Sequence, residues 1–180
     1  MAFEKSPKTL DEPALFEYAL ETLAGRASSA GELRQKLRRK AEKAADVDTV
    51  IARLKEYGYL NDKQFAEHYA SRRLENQGFG RTRVLSDLRA RRVAPSIAER
   101  AVNAAFEGTD EVALIEQYLS RKYRRAPLSE VLAEEKGMAS AYRKLRGAGF
   151  SHGNSLRVLK RHARDTEALD TMEPPEEHSQ

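Results

Sequence analysis

Arginine is the side chain that equips this sequence for chemistry. Residues 72–92 hold seven Lys/Arg against two acids, residues 26–43 repeat that ratio, and residues 143–164 hold seven against none. A guanidinium fork bonds phosphate or carboxylate through two parallel donors, so recognition of a polyanion or an acidic surface is the chemistry implied. Like charges gathered on one face oppose the compact state unless a partner relieves them. The candidate contact residues are Arg34, Arg38, Arg39, Arg72, Arg73, Arg81, Arg83, Arg89, Arg91, Arg143, Arg157 and Lys160. Base-specific reading is not expected, because no helix carries the mixture of Asn, Gln, Ser and Arg that groove readout favours.

Other chemistries are poorly supplied. The chain has no cysteine, which removes disulfides, thiol nucleophiles and Cys-based metal sites. His68, His152, His162 and His178 lack ligand spacing, so neither a metal nor any other cofactor is expected. The run GAGFSHG from Gly147 to Gly153 has the wrong spacing for a dinucleotide loop and follows no strand, so it reads as a helix stop. No phosphate loop and no nucleophile elbow occurs, and no catalytic residue is expected. Tyr18, Tyr69, Tyr118 and Tyr142 could stack on bases. Their helical positions favour core packing instead.

The elements that must position the arginines are helices. Asp11 and Pro13 start the first, with Leu15, Tyr18, Ala19 and Leu23 on one face and Gly25 as its stop. Ser29 and Glu32 fit a capping box for the second, which turns Leu33 and Leu37 inward. Asp46 and Asp48 should begin the third, ending at Tyr57 and Gly58. Asn61 and Gln64 form another capping-box pair, opening a helix to about Asn76. Val84, Leu85 and Leu88 stripe the next, whose outside is Arg81, Arg83, Arg89, Arg91 and Arg92. Pro95 opens a helix reaching Phe106. Thr109 and Asp110 cap the helix that follows, and Pro127 begins a short one. Ala141, Tyr142 and Leu145 mark a further helix; the last, about Ser151 to Arg164, should bury Leu156 and Leu159.

Three segments align without gaps: LETLAGR (20–26), AEHYASR (66–72) and IEQYLSR (115–121). Downstream of each comes an apolar residue, three others and Leu-Arg: 33–38, 84–89 and 141–146. The reading is an all-α, elongated and curved array of three tandem three-helix repeats over residues 13–60, 61–108 and 109–165. Residues 1–12 read as a flexible leader, and Tyr123 to Gly137 as an insertion in the third repeat.

Residues 165–180 hold six acids and no Lys or Arg, so removing them turns a net charge of +4 into +10 on residues 1–164. Within them the disordered acidic tail, residues 166–180, reads either as a solubility segment or as a competitor with a polyanion for the basic body. No apolar run is long enough to span a membrane and the N-terminal residues lack a signal-type core, so a cytoplasmic protein without membrane contact is expected.

The stretch GYLNDKQFAEHYASRR (58–73) resembles the signature of the RecX regulatory proteins: Gly-Tyr-Leu-Asp/Asn-Asp, an aromatic and Ala, then an Arg-ending helix. GFGRTRVLSDLRARRVAPSIAERAV (78–102) resembles the family's next block, with Arg92-Val93 where the family commonly has Gly-Ile. ASSAGELRQKLRRKA (27–41) is similar to its Ser-x-x-Glu-Leu-x-x-Lys-Leu helix. The likeness covers about Ala14 to Arg164 and is weaker in the third repeat. It implies a non-catalytic, monomeric protein that binds the RecA recombinase and its filament on single-stranded DNA. Lying in the filament groove or capping the filament, such a protein hinders extension, ATP hydrolysis, strand exchange and coprotease activity. Weak direct DNA contact accompanies this expectation, and the rival reading is a helical DNA-binding protein acting without RecA.

Overall fold

In the computed structural model, residues 9–125 and 127–162 are described. The first eight residues of the expected leader, Arg164 and the acidic tail lie outside them. The described residues form ten α-helices: α1 (Glu12–Gly25), α2 (Ala30–Arg38), α3 (Ala44–Glu56), α4 (Asp62–Arg72), α5 (Arg81–Ala90), α6 (Pro95–Ala105), α7 (Glu111–Lys122), α8 (Leu128–Val131), α9 (Glu135–Gly147) and α10 (His152–His162). Among them the only extended pairing is a single parallel bridge between Leu10 and Ala41. The chain is an all-α array of helical repeats.

Two compact units divide the array. One holds the described residues through Tyr69 with Asp87–Ala101; the other holds Ala70–Ser86 with Val102 onward. The division falls inside α4, α5 and α6, so the middle three-helix set contributes part of each helix to either unit.

In the first unit, α1 and α2 both pack on α3. Leu15, Ala19, Leu33, Leu37, Val47, Val50, Ile51 and Leu54 are buried together at helical spacing. Asp11 Oδ1 accepts from Ala14 N at 3.1 Å. The Ser29–Glu32 capping box is complete, with bonds of 3.0 and 3.3 Å. Three details differ from the sequence reading. α3 begins at Ala44, two residues before Asp46, without a side-chain cap. Asn61 Oδ1 accepts from Gln64 N at 3.1 Å, and only that half of the expected second capping box is made. α4 stops at Arg72 and widens into one π turn, Arg73–Gln77, closed by Gly78 at φ 57°.

In the second unit Ile115, Leu119, Leu132, Met138, Ala141, Leu145, Phe150, Val158 and Leu159 are buried. α10 departs from expectation: Ser155, not Leu156, turns inward, its hydroxyl donating to Ser151 O at 2.6 Å. That bond makes a buried serine tolerable. Glu111 caps the same helix from α7, accepting from Ser151 N at 2.8 Å, Ser151 Oγ at 2.5 Å and Asn154 Nδ2 at 2.5 Å.

The repeat is visible in burial. Leu33/Leu37, Val84/Leu88 and Ala141/Leu145 are buried pairs in the second helix of each set, as the alignment requires, while Leu85 is half-exposed. In the first helices Ala66/Ala70 and Ile115/Leu119 correspond, but α1 buries Leu15/Ala19 and leaves Ala24 exposed. The LETLAGR likeness is therefore out of structural register.

One joint occurs in each unit. In the first, the start of α2 meets the α5–α6 turn: Ser29 Oγ donates to Arg91 O, and a Cβ added to Gly31 would lie 2.5 Å from Arg92 O. In the second, the start of α5 meets the α9–α10 turn. Gly80 N donates to Ala148 O at 2.8 Å and Thr82 N to Gly149 O at 3.3 Å, and a Cβ at Gly80 would lie 2.3 Å from Gly149 O. Both turns close alike, with Val93 N bonded to Leu88 O and Phe150 N to Leu145 O, each at 3.2 Å. Both need a left-handed residue, supplied by Arg92 (φ 58°) and Gly149 (φ 88°). Arg92-Val93 thus keeps the turn its glycine-less sequence put in question, with Val93 buried and Arg92 Nε donating to Gln35 Oε1 at 3.0 Å.

Replacing Arg92 by Gly should relieve the left-handed strain and raise unfolding stability by about 1 kcal/mol in urea titration. Gly149→Ala should lower it by about 2 kcal/mol or more, since its Cβ would lie 2.2 Å from Arg83 N. Burial alone would raise the Glu111 carboxyl, but the bonds from Ser151 and Asn154, with Arg146 nearby, hold its pKa below the ordinary value. A depressed folded pKa stabilises fully above the unfolded pKa, and that contribution disappears as pH falls through the folded value. Glu111→Gln should therefore cost roughly 0.5–1 kcal/mol near neutrality, since solvent screens a half-exposed carboxylate. The gap to wild type should close as pH falls below the carboxylate range, followed by urea unfolding at each pH.

Candidate basic interface

The candidate cations fall into two groups, those held by neighbours and those left to solvent. On α2 and its C-terminus, Arg38 and Arg39 are exposed and have no ion pair among the described residues. Arg34 is half-exposed and lies 3.1 Å from Asp48 Oδ1, so part of its charge is answered locally.

The residues of the middle set are the most engaged. Arg89, exposed, pairs with Glu99 at 3.3 Å. Arg91 departs from the exposed face expected for it. Its side chain is 17% exposed, lies 3.5 Å from Glu32 Oε2, and stacks over Tyr69 at 4.9 Å and Phe65 at 5.5 Å. That is a packed clamp, in which a long side chain buries its stem and its charge is matched. Arg73 and Arg83 both approach the Phe79 ring, each at 5.7 Å, and Arg73 also bonds Gln77. Arg81 donates to Asn103 Oδ1 at 2.5 Å and sits 5.8 Å over Phe106. Arg72 is exposed. In the second unit Arg143, Arg157 and Lys160 are exposed on α9 and α10.

The four tyrosines behave as packing residues. Tyr142 is buried and its hydroxyl bonds His152 Nδ1 at 2.7 Å; Tyr118 is half-buried edge-on to Phe150, and burial raises its pKa. Tyr69 shares a 3.3 Å bond with Asp87. The exposed aromatics are Tyr57 and Tyr59, edge to face with centroids 6.4 Å apart.

A second cationic strip was not among the expected residues. Arg121, Lys122, Arg124 and Arg125 surround Tyr123 where α7 ends, and the signal, four cations in five residues, stood in the sequence. It lies where the insertion opens, outside the three basic segments 26–43, 72–92 and 143–164. The strip borders a groove of about 510 Å³. Among the described residues, no group of three or more His, Asp or Glu could hold a metal, and no helix is long and apolar enough to cross a membrane.

Fold and surface together define an all-α repeat protein with cationic helix faces. The sequence model of the RecX first three-helix domain matches residues 16–54, and that of the second three-helix domain matches residues 61–102. Regulatory protein RecX of Deinococcus radiodurans is 32% identical over 149 residues, covering 82% of this chain and 69% of the relative. That of Herminiimonas arsenicoxydans is 32% identical over 135 residues, covering 74% and 83%. That of Amycolatopsis mediterranei is 29% identical over 156 residues, 87% of each chain. The crystal structure of RecX from Lactobacillus salivarius superposes with a TM-score of 0.63 at 20% identity, over 84% of this chain and 96% of that one. The chain belongs to the RecX family of regulatory proteins.

Arg91→Ala should cost about 1–3 kcal/mol of unfolding stability, because it strips a packed stem and leaves Glu32 unmatched. The double change Arg38→Ala with Arg39→Ala should stay within roughly 0.5 kcal/mol, as expected for exposed side chains without partners. Thermal unfolding followed by circular dichroism separates the two.

Proposed function

We propose that this protein binds the RecA recombinase and its filament on single-stranded DNA and restrains the filament, limiting extension, ATP hydrolysis, strand exchange and coprotease activity. It acts in the cytoplasm as a monomer, without a catalytic site or cofactor of its own. The observation that carries this reading is membership of the RecX family, for which the sequence resemblance implies RecA as partner. The repeated cationic faces supply the physical means: exposed arginines suit acidic protein surfaces and DNA phosphates, and such contacts weaken with salt. The three three-helix sets, residues 13–60, 61–108 and 109–165, present these faces in turn.

The residues fit for that role are those left to solvent. Arg38, Arg39, Arg72, Arg143 and Arg157 are exposed. Arg81, Arg83 and Arg89 are exposed too, but each is engaged locally with Asn103, Phe79 or Glu99. Reversing those three would disturb neighbouring contacts as well as charge.

Titration of the protein into RecA on single-stranded DNA, following ATP hydrolysis and filament length, tests the reading. Both should fall with added protein. The Arg38→Glu, Arg39→Glu variant should need roughly tenfold more protein for half-inhibition, about 1.4 kcal/mol, with helicity unchanged. Unchanged inhibition by the variant removes the α2 face. No effect of the wild-type protein on either readout removes RecA as the partner, and tight sequence-selective duplex binding in a filament-free gel shift would favour the DNA-binding rival.

A further inference from the structure

The groove at the end of α7 differs from the helix faces in having both charge and an apolar wall. Buried Leu119 and half-buried Leu128 line it together with Pro127. Exposed Arg124 and Arg125 line it as well, and with Lys122 they border a second hollow of about 380 Å³ beside it. None of these three cations has an ion pair among the described residues. Other charges nearby are already matched: Glu116 Oε2 lies 2.7 Å from His162 Nε2, and Glu116 Oε1 lies 3.9 Å from Arg161. Tyr123 borders both hollows and is held in place by Lys144, whose Nζ lies 3.1 Å from the hydroxyl and 4.8 Å from the ring centroid.

We infer that this groove is a single-stranded nucleic-acid site, in which Lys122, Arg124 and Arg125 take successive backbone phosphates and the wall formed by Tyr123, Pro127 and Leu128 receives an unstacked base. The chemistry selects the ligand. An acidic peptide would answer the three cations but leave the apolar wall and the ring without a partner. A duplex keeps its bases stacked inside and offers that wall nothing, whereas a single strand presents phosphates and base faces at once. The volume lies in the ~300–1,000 Å³ range of ligand pockets. Of the proposed function, this inference shares only direct contact with single-stranded DNA. Its test contains no RecA, so its failure and the failure of the RecA reading are separately visible.

Fluorescence anisotropy of a labelled short oligothymidylate, titrated with the full chain at several salt concentrations, reads the site. Arg124→Ala with Arg125→Ala should weaken binding roughly tenfold at low salt and flatten the log–log salt slope by about 1.4, two contacts at ~0.7 each. Tyr123→Leu should weaken binding while leaving the slope unchanged, because it removes a ring and no charge. Arg26→Ala with Lys55→Ala, an equal loss of charge at exposed positions elsewhere, controls for net charge and should change affinity less than about twofold. Circular dichroism confirms that each variant folds. Wild-type affinity and slope in the Arg124/Arg125 variant would overturn the assignment. So would an equal loss in the control, which means diffuse attraction, or displacement of the probe by polyglutamate as readily as by unlabelled oligonucleotide, which means an acidic protein ligand.

Discussion

Helix ends carry unpaired backbone groups, and the joints of this array bond them to the ends of neighbouring helices. A helix begins with amides that lack acceptors and ends with carbonyls that lack donors. In the second unit Gly80 N and Thr82 N, at the start of α5, bond the carbonyls of Ala148 and Gly149 where α9 gives way to α10. In the first, Ser29 at the start of α2 bonds the carbonyl of Arg91 where α5 ends. Each contact also sets the positive end of one helix dipole against the negative end of another. The approach leaves no space for a Cβ at Gly31 or Gly80. A small residue at the start of the second helix and a left-handed residue after the next second helix are therefore two halves of one requirement. Arg92 meets its half at the cost of backbone strain.

That requirement explains why so many arginines cluster along α5 without acting as one surface. The α5–α6 turn is a joint, and the side chains beside it are recruited to hold it: Arg91 against Glu32 and the rings of Phe65 and Tyr69, Arg92 against Gln35. At the other end of α5, Arg81 and Arg83 lie against Phe106 and Phe79. An exposed cation–π contact contributes about 0.5–1 kcal/mol, so these contacts orient side chains more than they stabilise the fold. The half-buried Arg91 clamp is the exception.

What the sequence made legible follows the same division. Helix number, the inward stripes of α2 and α5, and the Ser29–Glu32 box were readable because local spacing determines them. The start of α3 was not, since Asp46 and Asp48 look like caps while the helix begins two residues earlier, at Ala44, with no side-chain cap to mark it. The LETLAGR match misled because amphipathic helices resemble one another, and only burial reveals that α1 uses Leu15 and Ala19. Ser155 could not be told from Leu156 without knowing that Ser151 O would satisfy it. Within the candidate site, exposure was legible for Arg38, Arg39 and Arg72 but not for Arg91. A charged residue is buried only when its partners, here 59 positions away in Glu32 and at Phe65 and Tyr69, are brought to it by the fold.

What this surface can recognise depends on where it is charged and where it is not. The joints use backbone groups, glycines and a few clamped arginines, and so leave the first-unit cations Arg38 and Arg39 free of structural duty. The end of α7 and the insertion of the third set add Lys122, Arg124 and Arg125 around Tyr123, which no joint uses. Stability and recognition therefore draw on different arginines of one sequence, although composition alone makes them look alike. Added salt should accordingly weaken what the solvent-facing cations hold well before it loosens the helices, because screening acts on exposed charge and hardly touches hydrogen bonds between buried helix ends.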